Sequence, residues 1–301
     1  MLLSVVIPIY KAEKTITRLV DTLHVELKNY DFEIIMVNDA SPDNSAEVCK
    51  ALVKRYENTS LISLRKNFGE FNAVMCGLNH VKGKYAVMID DDFQNPPSEI
   101  IKLVEEAERG DYDVVYGQYR EKKHSLFRNF GSWLVNYITT PLLGKPKDLY
   151  LASFKLIRKE VVDEICKYTG PFPYIDGLVF SVTTHIGRVY VQHDEREHGE
   201  SNYTFKKLLT VFFNILFGYS LLPVRFVLFS GLTLILISFV MMCLHVSDLF
   251  DTNSATLITF FAGFRILCIG IIGEYIGKAF LTQSNSPQFT IKYRVYNHDQ
   301  E

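Results

Sequence analysis

The sequence predicts an α/β domain with a mainly parallel sheet covered by helices on both faces, then helices at a membrane surface and a two-helix transmembrane hairpin. Three observations carry this. Over residues 1 to about 117, short apolar runs alternate with amphipathic ones, the pattern of strands each followed by a covering helix. Three adjacent carboxylates, Asp90, Asp91 and Asp92, follow the apolar run Tyr85 to Ile89 and precede Pro96 and Pro97. Two long apolar stretches, 222–246 and 255–281, stand late in the chain.

With 301 residues the chain holds one large domain or two. Its 32 Lys and Arg against 34 Asp and Glu leave a formal charge of −2, without the basic excess of a nucleic-acid binder. Cys49, Cys76, Cys166, Cys243 and Cys268 have no C-x-x-C spacing; they read as reduced packing thiols, with neither zinc nor a disulfide frame. The N-terminus lacks a basic n-region and meets Pro8 after a few apolar residues, so it reads as a strand start and not a signal peptide.

Leu3 to Ile9 reads as a buried strand, and Ile16, Leu19, Val20, Leu23 and Leu27 recur at helical spacing after it. Phe32 to Val37 is the second strand, followed by the turn Asn38 to Asp43 and a helix from about Ser45 to Tyr56. Leu61 to Leu64, Tyr85 to Ile89 and Val114 to Gly117 continue the strands; Glu70 to His80 and Ser98 to Arg109 continue the helices. In such sheets ligands bind outside the carboxyl ends of the strands. Pro8 to Glu13, Asp39 to Asp43, Arg65 to Gly69 and Asp90 to Gln94 all fall at that edge. No G-x-G-x-x-G and no G-x-x-x-x-G-K-[ST] occurs, which removes the main support for a dinucleotide dehydrogenase or a P-loop NTPase.

The fourth strand, ending in Asp-x-Asp, sends Asp90 and Asp92 to one face and Asp91 to the other, because strand side chains alternate. Hard carboxylate oxygens suit Mg²⁺ or Mn²⁺, which keeps sites for water and substrate phosphates. Gln94 adds an oxygen if the chain remains extended. The competing reading is an acidic turn capping the helix near Pro97. Arg65 and Lys66 stand near the same edge.

A basic, aromatic segment at 122–144 places Phe127, Phe130, Trp133, Leu134, Tyr137 and Ile138 on one helical face, either packed on the sheet or lying in the membrane interface. Residues 148–201 read as a smaller region with a strand over Ser153 to Ile157, a helix near Glu160 to Tyr168, a helix after Asp176, a strand over Arg188 to Gln192 and then a polar loop, 194–203. A second interfacial helix is expected at 204–221, leading to spans at 222–246 and 255–281 and a tail at 282–301. Each span is long enough to cross a hydrocarbon core of ~30 Å. The connection between them carries Asp248 and Asp251 without Lys or Arg, while basic residues flank both outer ends; the positive-inside rule then puts both ends in the cytoplasm. Arg265 and Glu274, costly in lipid, are expected to face protein.

Val6 to Glu13, Val37 to Asp43, Asp90 to Pro97, Arg196 to Ser201 and Ile272 to Lys278 together resemble family 2 glycosyltransferases of the polyprenyl-phosphate type. That group includes dolichyl-phosphate mannose synthases, bactoprenol glucosyltransferases and undecaprenyl-phosphate aminoarabinose-type transferases. Arg65 to Gly69 and Glu195 to Ser201 look most similar to the last. The resemblance implies a GT-A-like catalytic domain over 1–203 and a nucleotide-sugar site lined by Pro8, Tyr10, Glu13, Asp39, Lys66, Asp90 and Asp91. It also implies a Mg²⁺ or Mn²⁺ site at Asp90, Asp92 and Gln94, with Asp92 and Gln94 as direct ligands. Arg120, Arg128, Ser132 and Arg196 would bind the acceptor phosphate; Asp90, Asp92, Arg128 and Arg196 carry the catalytic expectation. Asp91 stands where the family usually has a small residue, and Asn202 where many members have lysine.

The implied reaction is inverting transfer of a sugar from a nucleotide sugar, UDP-linked by analogy with bacterial members, to a polyprenyl phosphate such as undecaprenyl phosphate. A lipid phosphate is largely dianionic at neutral pH, so no general base is required, and Asp148 is a candidate for orienting the acceptor. The implied setting is the cytoplasmic face of a bacterial inner membrane, with a homo-oligomer, a tetramer, as partner state and no nucleic acid. The alternatives are a processive polysaccharide synthase, against which the missing Q-x-x-R-W speaks, and a catalytically inactive, membrane-anchored nucleotide-sugar-binding protein.

Overall fold

A computed structural model describes residues 2–119, 140, 145–146, 148–194, 223–227, 229–231, 233, 254–283 and 287–297. The chain forms two compact units, Met1–Thr204 with Ser286–Glu301, and Phe205–Asn285.

In the first unit the expected alternation is present: β1 (Leu3–Ile9), α1 (Ile16–Glu26), β2 (Phe32–Asn38), α2 (Ser45–Arg55), β3 (Thr59–Leu64), α3 (Glu70–Leu78), β4 (Tyr85–Met88), α4 (Glu99–Arg109) and β5 (Val114–Gln118). The smaller region supplies β6 (Lys155–Arg158), α5 (Lys159–Ile165), α6 (Ile175–Val182) and β7 (Ile186–Tyr190), and residues after 286 supply β8 (Ile291–Val295). Among the described residues these strands form one 8-stranded sheet ordered β7-β5-β6-β4-β1-β2-β3-β8. β1 pairs in parallel with β2 and β4, and β2 with β3. β6 runs antiparallel between β4 and β5, and β8 runs antiparallel along β3.

The apolar runs are continuous because these strands are covered on both faces. Leu3, Val5, Val6 and Ile7 have no exposed surface, and Ile16, Leu19, Val20 and Leu23 of α1 close one face over Leu3, Val5 and Ile7. α3 lies so near the other face that a Cβ on Gly77 would stand 2.3 Å from Val6 Cγ1; glycine is what lets this helix approach the sheet.

Three expectations change here. β4 ends at Met88, one residue before the expected Ile89, and 91–95 form turns and bends with Phe93 at φ 58°. The extended-chain premise that put Asp90 and Asp92 on one face, and that Gln94 needed, is therefore not met. Second, the expected tail at 282–301 contributes a strand: Leu61 faces Val295, Ile62 faces Arg294 and Ser63 faces Tyr293. Gln288 Nε2 also donates to Gly170 O at 3.0 Å. Third, β7 lies over Ile186–Tyr190, two residues earlier than expected.

In the second unit, α7 (Ser254–Gln283) is 30 residues long and coincides with the expected second span. Among the described residues no helix is long and apolar enough to cross a membrane, so the two-span hairpin does not follow from the structure. Within this single chain α7 exposes Arg265 and Glu274, and Glu274 lies 3.9 Å from Lys278 one turn on. Its apolar side chains Ile266, Ile269, Ile272, Ile276 and Phe280 are exposed as well. The segments 122–139, 141–144 and 204–222, and most of 222–246, lie outside the described residues.

Candidate active site

The ends of β1, β2 and β3 are tied to one another by side chains that bond backbone. Ser41 Oγ accepts from Lys11 N at 3.1 Å, and the buried Ser45 Oγ accepts from Ala12 N at 2.9 Å while donating to Asp43 Oδ1 at 2.6 Å. Glu13 Oε2 accepts from Asn44 N at 3.0 Å. The carboxylate of Asp39, 3 % exposed, accepts from Phe68 N at 2.7 Å and Gly69 N at 2.8 Å. Burial pushes the Asp39 carboxyl above its ordinary value, against the lowering effect of these two N–H groups. The bonds hold the Arg65 to Gly69 loop in place, and Gly69 at φ 92° allows the turn into α3. Lys11 at φ 62° and Ala40 at φ 49° adopt left-handed backbone at this same edge. Such conformations cost on the order of 1–3 kcal/mol each and cluster where a site dictates the backbone.

After β4 the carboxylate turn is pinned by Phe93, which is buried in the core beneath the Arg18 guanidinium, 4.5 Å from its ring centre. Gln94 N donates to Asp92 Oδ1 at 3.1 Å, and Gln94 O accepts from Asp194 N at 2.9 Å. Asn95 Oδ1 accepts from Tyr119 OH at 3.0 Å. The base of the 194–203 loop is thereby fastened to the turn.

Asp90 lines a cavity together with Pro8, Glu70, Phe71, Met88 and Lys155, and accepts from Ser153 Oγ at 2.7 Å. Glu70 keeps solvent access at the cavity mouth. Enclosure by its neighbours, then the charges of Asp90, Asp91 and Asp92, push its carboxyl up to about 7, with Lys155 pulling the other way. Lys155, 3 % exposed, pairs with Asp176, 7 % exposed, and Asp176 also accepts from Tyr116 OH at 2.8 Å. Burial, with the charges of Asp91 and Asp43 added, pushes the Cys49 thiol up to about 12.

The donor set suits a hard divalent cation, since the turn and cavity offer carboxylate oxygens from Asp90, Asp91, Asp92 and Glu70. Among the described residues no three His, Cys, Asp or Glu side chains converge to hold an ion alone. A cation here would take few protein oxygens and complete its shell with water and phosphate.

Pro8, Asp90, Asp91, Asp92 and Gln94 thus gather around one turn and cavity, while Tyr10, Glu13, Asp39 and Lys66 lie on the neighbouring loops. Tyr10 is 39 % exposed, and Lys66 Nζ stands 4.9 Å from the Phe68 ring centre. Asp148 is bound by Arg188, whose hydrogen bond holds its carboxyl below the ordinary range. Arg120, Arg128, Ser132, Arg196 and Asn202 lie outside the described residues. Among the described residues Cys49, Cys76, Cys166 and Cys268 are free thiols.

Sequence reasoning missed Glu70, Ser153, Lys155 and Asp176. Ser153 lies in the bend just before β6, which Lys155 opens, and Asp176 stands in the first turn of a helix. A charged residue inside an apolar strand pattern was the available signal, since buried lysine is rare unless paired.

Comparison with known proteins agrees with this geometry. The undecaprenyl-phosphate 4-deoxy-4-formamido-L-arabinose transferase of Pseudomonas fluorescens (strain SBW25) is 30 % identical over 98 % of this chain and 90 % of its own length. The enzyme of the same name from Photorhabdus laumondii subsp. laumondii is also 30 % identical, over 96 % of this chain and 93 % of its own. Among solved structures, glucosyl-3-phosphoglycerate synthase from Mycobacterium tuberculosis, crystallised with Mn²⁺, UDP and glucosyl-3-phosphoglycerate, shares the fold. It has a TM-score of 0.55 at 17 % identity, covering 72 % of this chain and 77 % of that one. A family model described as glycosyl transferase family 2 matches residues 4–166, and the chain belongs to that family.

Proposed function

We propose that this protein moves a sugar from a nucleotide sugar, UDP-linked, to the phosphate of a polyprenyl phosphate such as undecaprenyl phosphate, inverting the anomeric carbon, at the cytoplasmic face of a bacterial inner membrane. The product would be a lipid-linked sugar for envelope glycan or lipid A modification. The observation that carries the reading is the Asp90 to Gln94 turn, held over a cavity at the carboxyl edge of a parallel sheet. The relatives' names support the acceptor, and the UDP and Mn²⁺ of the solved fold relative support the donor and cation.

In this scheme Pro8, Tyr10, Glu13 and Asp39 frame the nucleoside, and the loop that Asp39 fixes presents Lys66 to the diphosphate. Asp90, Asp92 and Gln94 would hold Mg²⁺ or Mn²⁺, which when bound neutralises charge on the departing diphosphate. The lipid phosphate attacks as a dianion, oriented by Arg120, Arg128, Ser132 and Arg196; arginine forks suit a phosphate because they are planar and permanently charged. Asp91 remains available to the donor side through its proximity to Glu70.

Membrane attachment is part of the proposal. Ile266, Ile269, Ile272, Ile276 and Phe280 recur every three or four residues, one face of α7 exposed within the chain. Residues 222–246 and 255–281 would form the two spans, with the interfacial segments 122–144 and 204–221 beside them. Exposed Arg265 then finds its partner in an oligomer. Resistance to carbonate extraction and reporter fusions at 250 and 301 test the topology.

The deciding experiment is radiolabel transfer from a panel of UDP- and GDP-sugars to undecaprenyl phosphate, with and without Mn²⁺. Transfer from one UDP-sugar that requires the ion is expected. No transfer from any donor would overturn the proposal.

A further inference from the structure

We propose that the cavity beside Asp90 is the pocket for the donor's sugar ring, and that Glu70 selects neutral or amino sugars there and rejects acidic ones. This rests on the donor reading above.

The lining divides into two kinds. Phe71, Val74 and Ile175 offer an apolar wall, and Phe71 is braced edge-on by Tyr174 with ring centres 5.8 Å apart. Such a wall suits the C–H face of a pyranose or furanose ring. Opposing it in chemistry are Glu70, Asp90, Ser153 and Lys155. Because Asp90 belongs to the diphosphate end of the site, the group bonded to the diphosphate enters this cavity.

The charge in the pocket is then decided by which groups are already neutralised. Lys155 is the cation among the lining residues, and it is committed: it pairs with Asp176, which also takes the Tyr116 hydroxyl, and its ammonium lies 4.9 Å from the centre of the Tyr116 ring. Ser153 spends its proton on Asp90. Glu70 shares the cavity with Asp90, and Lys155 is the one cation among its described lining residues. A pocket of this kind offers hydrogen-bond acceptors and negative potential. Sugar hydroxyls and amines satisfy both; a uronic acid carboxylate meets like charge.

The Lys155–Asp176 pair is a positioning device for this wall. Lys155 sits opposite Met88 on the strand next to β4, and Asp176 follows Ile175 at the start of α6. The ion pair thereby fixes the helix that supplies Ile175 to the pocket.

The test measures binding, so that it does not need the true donor. With full-length protein in detergent and Mn²⁺, the affinities of UDP, UDP-glucose, UDP-glucosamine and UDP-glucuronic acid are determined by calorimetry. The wild type is expected to bind UDP-glucosamine and UDP-glucose at least tenfold more tightly than UDP-glucuronic acid. Glu70→Gln, nearly isosteric, should narrow the gap between UDP-glucosamine and UDP-glucuronic acid at least tenfold while leaving UDP affinity within about twofold. A Lys155→Met/Asp176→Leu double variant, which leaves no lone buried charge, should stay folded, keep UDP affinity and weaken both UDP-glucose and UDP-glucosamine. An unchanged gap in Glu70→Gln with normal UDP binding overturns the pocket assignment alone. Failure of the wild type to bind UDP overturns the donor reading and this inference with it.

Discussion

At the ends of β1, β2 and β3 the site is held by side chains that bond backbone N–H groups, whereas at the ends of β4 and β6 it is held by charge against charge. On the first side Asp39, Ser41 and Ser45 each accept from a backbone N–H of another loop. On the second side Asp90, Glu70 and Lys155 line one cavity, and Asp176 pairs with Lys155. Hydrogen bonds to backbone fix shape without setting a strong field, which suits the rigid, nearly neutral nucleoside end of a donor. Unbalanced carboxylates set a field at the expense of stability, which suits a cation and a departing diphosphate. The difference implies that substitutions on the charged side remove chemistry, and those on the other side remove shape.

The largest effect is expected at the charged end. Asp92→Asn should lower kcat/KM by more than about 10³-fold, roughly 4 kcal/mol of barrier, with an unchanged thermal midpoint and normal membrane insertion. Asp91→Ala, measured in parallel, should be tolerated. Equal damage from both would mean that the three carboxylates act as one unit and that the turn distributes the cation among them.

Next comes the pair below the pocket. Lys155→Met strands Asp176 as a buried charge that is 7 % exposed, and breaking such a pair costs about 3–5 kcal/mol. The double variant Lys155→Met/Asp176→Leu should recover most of it, read by urea unfolding. If the single variant is as stable as the wild type, the charged side is not held by charge.

How far the two sides were legible follows from the same contrast. β1 to β4 and the helices after them were readable because strands buried on both faces give continuous apolar runs and surface helices give a 3.6-residue stripe. The edge where Asp39 and Asp90 lie was then fixed by topology alone. The extended course expected from Asp90 to Gln94 is not what forms, because β4 ends at Met88 and 91–95 turn, which composition does not announce. The Lys155–Asp176 pair joins residues 21 apart on a strand and a helix, and it depends on β6 inserting antiparallel beside β4. β8 carries a visible alternation from Ile291 to Val295 with Lys292 and Arg294 outward. Its position after a long apolar helix made it read as a tail.

On the hydrogen-bonded side, Asp39→Asn replaces one acceptor with an N–H₂ facing the backbone N–H of Phe68 or Gly69. Leaving one such buried donor unmatched costs about 1–3 kcal/mol, and UDP affinity should fall as the 65–69 loop loosens. The sign with pH is also fixed. Because burial raises the folded-state pKa of Asp39 above 3.8, the folded protein binds more protons than the unfolded chain between the two values. That contribution is full below 3.8 and is lost as pH rises through the raised value. Urea titrations across this window should show stability falling with pH in the wild type and a flatter profile in Asp39→Asn.

The smallest effect sharpens the comparison most cleanly, because it touches no charge. Ser45 has no exposed surface and its Oγ bridges Ala12 N and Asp43 Oδ1. Ser45→Ala removes both bonds but adds no bulk and leaves the helix-forming backbone of α2 intact. Ala12, 3 % exposed, loses the acceptor of its N–H, so about 1 kcal/mol of stability should go, a fall of roughly 2–4 °C for a domain of this size. Asp43 also accepts from Glu13 N at 3.3 Å, and Glu13 from Asn44 N, so the turn keeps part of its frame. The expected kinetic signature is a raised KM for the nucleotide sugar with kcat unchanged, since shape is lost while the carboxylate turn is untouched. A fall in kcat with KM unchanged would show that the β1–β2 edge is coupled to the chemistry and that the division between the two sides does not hold.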